Sequence, residues 1–255
     1  MRAAKSGSHW SLIELHAYNI VVQWQDAATF FGVKPLPQPA VAGELLKNVA
    51  ADDMVNGANH KLLCYMDLAT HPVPEEESAV VDFAVHLLTL LDYVPRPRMV
   101  RTRADILFNI CGLDRYAKTD VCIVDSDSDD ILLLIQEDKH KKPKDPEPQL
   151  IAGAIAAFQR KNYRRRQCPG QDPIVHKVMP GITLMGTTPI FYKIPVTTQL
   201  AQSVELGIYP AAPTVVHAHL PALARPTYCL DEGMEPLDNR ATILACYEAF
   251  KRFVN

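Results

Sequence analysis

No run in this 255-residue chain approaches the ~18 consecutive apolar positions that a bilayer-spanning helix needs, so no membrane helix is expected. The opening MRAAKSGSHWS has no apolar core, so no secretory signal is expected either. Cysteine is sparse and scattered (Cys64, Cys111, Cys122, Cys168, Cys229, Cys246). No Cys-x-x-Cys pair and no Cys/His quartet at zinc spacing appears, which argues against structural zinc. Reduced thiols and a cytoplasmic or nuclear protein are the expectation. Excess positive charge is missing as well. The formal net charge of -3 gives no global field that would attract nucleic acid, so such binding would need a local basic cluster. Internal repeats and low-complexity tracts are absent.

What remains is an ordinary globular composition, 48% apolar and 22% charged, long enough for one large domain or two small ones. Twenty prolines mark stiff connections, notably 35–39, 95–97, 143–148 and 210–226. The last of these segments is expected to be irregular. Within it His217 and His219, two apart, would point the same way on a strand, but no third ligand stands near them for zinc. Ser11 to Phe31 carries a helical apolar rhythm, and residues 1–70 read as a helical extension to a domain of residues 71–255.

The most informative stretch is 118–144, KTDVCIVDSDSDDILLLIQEDKHKKPK. Lys118–Val124 and Ile131–Gln136 are β-branched and aliphatic arms, and the Asp/Ser segment between them is turn chemistry. A turn centred near Ser128 and Asp129 would set Asp120 opposite Glu137, with Lys139 on the same face as Glu137. Two carboxylates and an amine at the open end of a hairpin can hold a hard divalent cation and orient a water. A slip of one residue would turn one carboxylate to the other face.

Pro74 to Tyr93 reads as an amphipathic helix with Val80, Val81, Ala84, Leu87, Leu88 and Leu91 inward. Glu77 shares that face and is either an N-terminal charge favoured by the helix dipole or a third carboxylate of the site, a role for which Glu76 competes. Arg96, Arg98, Arg101 and Arg103 read as a solvated connection, with a phosphate-facing edge as the alternative. Gln149 to Tyr163 forms a second helix, and Leu237 to Phe253 a closing one capped by Asp238 or Asn239. Between residues 136 and 166, nine Lys and Arg stand against four Asp and Glu, an excess suited to phosphate contacts or to a solvated face. Lys141-Lys142-Pro143-Lys144 also suits a nuclear-import patch.

Helix–strand–strand–strand–helix–strand with Asp120 and Glu137-Asp138-Lys139 resembles the PD-(D/E)xK, or restriction-endonuclease-like, nuclease superfamily. DPEPQLIAGAIAAFQ, GITLMGTTPIFYKIPVT and PLDNRATILACYEAFKRFV resemble a group of fungal proteins of unassigned function. The superfamily resemblance implies an α/β fold, a mixed central sheet flanked by helices, with an αβββαβ core. It implies Asp120 and Glu137 as ligands of Mg²⁺ or Mn²⁺, Lys139 beside the attacking water, and Glu77 or Glu76 as the helix glutamate. Gln149 would match a helix glutamine near the site, with Lys141, Lys142, Arg164 and Arg165 toward the substrate. Thr119 replaces the proline of the motif. The implied activity is metal-dependent cleavage of DNA or RNA. The alternatives are an inactive nuclease-fold binding or effector protein, or a hydrolase of small phosphates.

Overall fold

Aliphatic runs flanked by turn residues become strands, and among the described residues one sheet gathers them. The computed structural model describes residues 3–71, 78–137 and 145–254, and the backbone alone of Cys229. Seven strands lie in the order β1 (Ile20–Trp24), β7 (Thr214–His219), β6 (Thr188–Thr197), β5 (His176–Met185), β4 (Ile131–Glu137), β3 (Leu113–Asp125) and β2 (Arg98–Ile110). Neighbours are antiparallel except β1 with β7 and β4 with β5. A parallel pair needs a long crossover. Helix α5 (Pro146–Gln167) supplies it between β4 and β5.

Helices cover both faces. On one side α2 (Ala27–Phe31), α3 (Gly57–Thr70), α4 (Ala79–Leu90) and α8 (Leu237–Phe250) pack on Val121, Ile123, Leu133, Ile135, Ile182 and Leu184. On the other, α1 (Leu12–Ala17), α5 and α6 (Thr198–Leu206) pack on Cys122, Val124, Leu134 and Ile194. Helix α7 (Cys229–Glu232) is a single turn. Small residues let α5 lie close to the sheet: Gly153, Ala154, Ala156 and Ala157 line it, and Leu150 sits over Gly181, where a Cβ would come within 2.9 Å of it. Among the described residues, no helix is long and apolar enough to cross a membrane.

Several local expectations change. The helical rhythm of Ser11 to Phe31 breaks at Asn19, whose positive φ of 52° ends α1, and the β-branched run after it becomes β1. Residues 1–70 therefore contribute an edge strand to the common sheet as well as helices. Arg98, Arg101 and Arg103 belong to β2 rather than to a connection. Thr214–His219 is a strand inside the segment expected to be irregular. Helix α8 begins after Pro236 with no side-chain cap, so neither Asp238 nor Asn239 is its N-cap. The Pro-Glu start expected for α4 falls on residues 74–77, outside the described residues, and its described turns begin at Ala79.

Candidate functional site

The hairpin of β2 and β3 turns over on itself halfway along. Ala104 and Ala117 face the α5 core, whereas Val100, Val121 and Ile123 face the α4 core. Yet the ladder keeps one register throughout, with Thr102 opposite Val121 and Ala104 opposite Thr119. The faces exchange at the intervening pair, Arg103 and Asp120. Arg103 absorbs the reversal with a positive φ of 50°, uncommon for a residue with a side chain.

Asp120 thus stands where the strand rolls from one face to the other, and its carboxylate reaches the end of the β3–β4 ladder. One oxygen, Oδ2, accepts from the Glu137 backbone N–H at 2.9 Å and from the Gln136 side-chain amide. Thr119 beside it is buried and donates its hydroxyl to the Ile135 and Val121 carbonyls at 3.0 Å each, pinning the same ladder end.

The register corrects the expected pairing of Asp120 with Glu137. Val121 pairs with Ile135 and Cys122 with Leu134, which sets Asp120 opposite Gln136. An irregularity between Ile123 and Val124, which pair with Leu133 and Ile131, skips Leu132 and shifts the arms by one position. Alternation puts Gln136 on the α5 face and Glu137, the last residue of β4, on the α4 face. The two carboxylates therefore do not sit as a cross-strand pair on one face. They meet through the backbone, since the Asp120 carboxylate is bonded to the Glu137 N–H. Both residues are half-buried at the rim of the sheet.

Gln149, in the first turns of α5, donates its amide to the Lys118 carbonyl at 3.2 Å and so lies beside this end of β3. Lys139, Lys141, Lys142, Glu76 and Glu77 lie outside the described residues.

Arg164 and Arg165 do not reach the carboxylates. Helix α5 has 22 residues, roughly 33 Å at 1.5 Å per residue, and they occupy its far end. There the acidic β3–β4 turn neutralises the basic cluster. Asp129 takes Arg160 and, at 2.8 Å, Arg164; Asp130 takes Lys161. Arg165 donates to the Asp172 carbonyl at 2.6 Å. At the described end of α5, Arg160, Lys161 and Arg164 are therefore matched internally by the acidic turn. A cleft of about 570 Å³ lies at that junction.

The α5 face of the sheet carries polar groups that the sequence reading passed over. Gln136 is a register partner of Thr183 on β5, and both are buried. Tyr192 on β6 is buried on the same face, beside Thr183 and Glu147. Glu147 lies in the first turn of α5, after the Asp145 cap, which accepts from the Glu147 N–H at 2.9 Å. Burial, reinforced by the Asp145 charge, pushes the Glu147 carboxyl up to about 7. Burial likewise drives the Tyr192 phenol far upward. Glu147 escaped notice because an acid at a helix start is already accounted for by the dipole. The available signal was a polar Gln closing an aliphatic strand.

Of the His pair, His219 is structural. His219 is buried between Phe30 and Phe31, and its Nδ1 lies 3.0 Å from the Gln25 carbonyl. Burial lowers its pKa. At the surface, His71 Nδ1 lies 3.4 Å from Asp67 and 3.3 Å from Glu235, an ion-pair geometry around one imidazole.

No protein-family model matches the chain, and no curated protein matches it significantly.

Proposed function

We propose that the chain is a divalent-metal-dependent phosphodiesterase of the PD-(D/E)xK kind, acting on DNA or RNA. The observation that carries the reading is Asp120. A carboxylate sits at the turnover of the β2–β3 hairpin, oriented by the backbone N–H of the residue that opens Glu137-Asp138-Lys139. It does so within an uninterrupted run α4, β2, β3, β4, α5, β5 whose last two strands are parallel. That element order agrees with the αβββαβ order that the resemblance implies, and so supports the reading.

The donor set suits the role. Asp120 and Glu137 offer hard oxygen donors, which match Mg²⁺ or Mn²⁺ rather than a thiophilic ion. Both stand at the rim, where a polymer can approach. A bound ion of this class supplies charge neutralisation at a phosphoryl group and a more acidic water. Two donors hold Asp120 Oδ2 and orient the carboxylate plane. Lys139, two residues beyond Glu137, would place an ammonium group beside the attacked phosphate.

The test is purified protein with Mg²⁺ or Mn²⁺, against EDTA, on single- and double-stranded DNA and RNA. Cleavage should require the metal and should be lost in Asp120→Ala, Glu137→Ala and Lys139→Ala with the circular-dichroism spectrum unchanged. Cleavage that survives Asp120→Ala would end this reading. The neutralised basic end of α5 favours a second reading, hydrolysis of small phosphate esters, because a long polyanion gains little there. Turnover of a small phosphodiester without salt-dependent affinity for nucleic acid would favour it.

A further inference from the structure

Three metal-binding side chains from two distant parts of the chain meet where α3 ends. Asp67 lies in the last turn of α3, and His71 follows that helix directly, its backbone N–H donating to the Asp67 carbonyl at 2.8 Å. Residues four apart share a helix face, so both side chains stand on one side. Glu235 comes from the loop before α8. His71 Nδ1 is 3.4 Å from Asp67 Oδ1 and 3.3 Å from Glu235 Oε1, and one donor atom of each residue lies within 4.8 Å of the others. Hydrogen bonding does not account for this convergence. Both separations exceed the ordinary N–H···O range of about 2.7–3.2 Å, and among the described residues the ring donates to neither carboxylate. Coordination does account for it. Ligand atoms around a tetrahedral ion with bonds of about 2.0–2.1 Å stand about 3.3–3.4 Å apart.

The frame around the three is fixed. Thr187, in the turn between β5 and β6, accepts the Met234 N–H at 2.9 Å, and its hydroxyl oxygen lies 3.5 Å from that of Thr70. Arg240 donates to the Glu235 carbonyl at 2.9 Å. One turn therefore ties the end of α3 to the loop that carries Glu235. Asp67 and Glu235 also line a cleft of about 640 Å³ whose other walls are mostly apolar, among them Val49, Leu63, Met66 and Leu68.

We propose that Asp67, His71 and Glu235 form a Zn²⁺ site, with three protein ligands and a water in the fourth position beside this cleft. An imidazole with two carboxylates suits zinc, whereas Mg²⁺ takes oxygen ligands. The exposed Asp67 and His71 side chains leave the ion a path of entry, and Asp67 can turn to close the set. The site shares no residue with the Asp120 and Glu137 pair, so each reading stands or falls separately.

The experiment strips the whole chain of metal and titrates it at pH 7.5 with Zn²⁺ against a chromophoric chelator, and with Co²⁺ by visible absorption. One tight equivalent of Zn²⁺ is expected, displacing Co²⁺ from a four-coordinate spectrum. His71→Ala and Glu235→Gln should each weaken Zn²⁺ binding at least about tenfold, since losing even a hydrogen-bond partner of a ligand costs that much. Asp120→Ala should leave it unchanged. Circular-dichroism spectra separate lost binding from lost folding, and Asp67→Asn, at an exposed helix position, carries the same test should Glu235→Gln fail to fold. Absence of a tight Zn²⁺ equivalent, or one that His71→Ala and Asp67→Asn leave intact, overturns the proposal and reduces the cluster to a surface ion pair.

Discussion

The Gln136 amide donates to Asp120 across the β3–β4 ladder, and the Glu137 N–H donates to the same carboxylate oxygen from 2.9 Å. One buried side chain thereby holds the acid on which the proposed chemistry depends. Gln136→Leu removes one of those donors while keeping the strand apolar. It should lower stability by about 1–3 kcal/mol, as for loss of a hydrogen bond to a charged group, measured by urea unfolding at pH 7. Mn²⁺ affinity should fall at least about tenfold in the same protein, since ~1.4 kcal/mol of misplaced ligand is already a factor of ten.

Glu147 ties stability to pH. Its folded pKa of about 7 lies above its ordinary value of 4.5, so the folded state holds the proton more tightly than the unfolded one. Below 4.5 both states are neutral and the residue costs nothing by this route. As pH rises from 4.5 to 7 the unfolded chain ionises first, and stability falls. The loss is complete above 7, and the difference corresponds to at most about 3 kcal/mol. Glu147→Gln should flatten that slope, so its gain over the wild type should be larger at pH 8 than at pH 4.5 in parallel denaturation curves.

Lys177 carries the opposite charge with the same cause. Burial and the nearby Lys161 lower its ammonium to about 8, and its Nζ donates to the Ile131 carbonyl at 3.1 Å. The folded state gives up that proton more readily, so stability rises between pH 8 and 10.5 as the unfolded lysine still holds its own. Lys177→Met should be more stable than the wild type at pH 7 by about 1–2 kcal/mol, the desolvation relieved less one hydrogen bond. The advantage should vanish near pH 10.5, read by thermal melts across that range.

Arg240 closes a part of the fold that no motif announces. Fully buried, it donates to the carbonyls of Met234, Leu45, Asn48 and Glu235 at 2.8–3.1 Å, joining the start of α8 to two loops. Arg240→Met strands several buried carbonyls together and should cost about 3–5 kcal/mol in chemical denaturation.

Asp129 combines a charge with a backbone constraint. It pairs with Arg160 and Arg164 and has a positive φ of 52°. Asn tolerates that conformation and Ala does not. Asp129→Asn should lose ~0.5–1 kcal/mol, the worth of a partly exposed ion-pair network, and Asp129→Ala more than that. Asp129→Asn should also elute later from a heparin column, because the guanidinium groups lose their internal counterion.

The hairpin and the two helices around it were legible because their signals are local: β-branched runs, an Asp/Ser turn, small residues at helical spacing. Register was not legible, since skipping Leu132 is a packing outcome at the bulge and the Asp/Ser turn alone gives no sign of it. Nor was the exchange of faces at Arg103 and Asp120, which rests on a backbone conformation that no pattern of apolar residues encodes. The basic cluster was visible in composition, but its counterions came from a turn about thirty residues earlier, and only folding brings Asp129 to Arg160. Tyr192 on β6 comes beside Glu147 on α5 in the same way, as partners that no short window contains. Residues 11–31 misled because Ile20, Val21 and Val22 serve helical and extended periodicity equally well, and the partner strand decides between them.

That partner strand arrives late. Ile20 pairs with Thr214, 194 positions further along the chain, and the remainder of β1 follows in step. A nascent polypeptide emerging from the ribosome must therefore hold this strand idle, with Trp24 and its neighbours unclaimed, until Thr214 to Ala218 have been made. Whatever shields that segment in the interval, whether a chaperone or its own flanking helices, therefore bears on the yield of native protein.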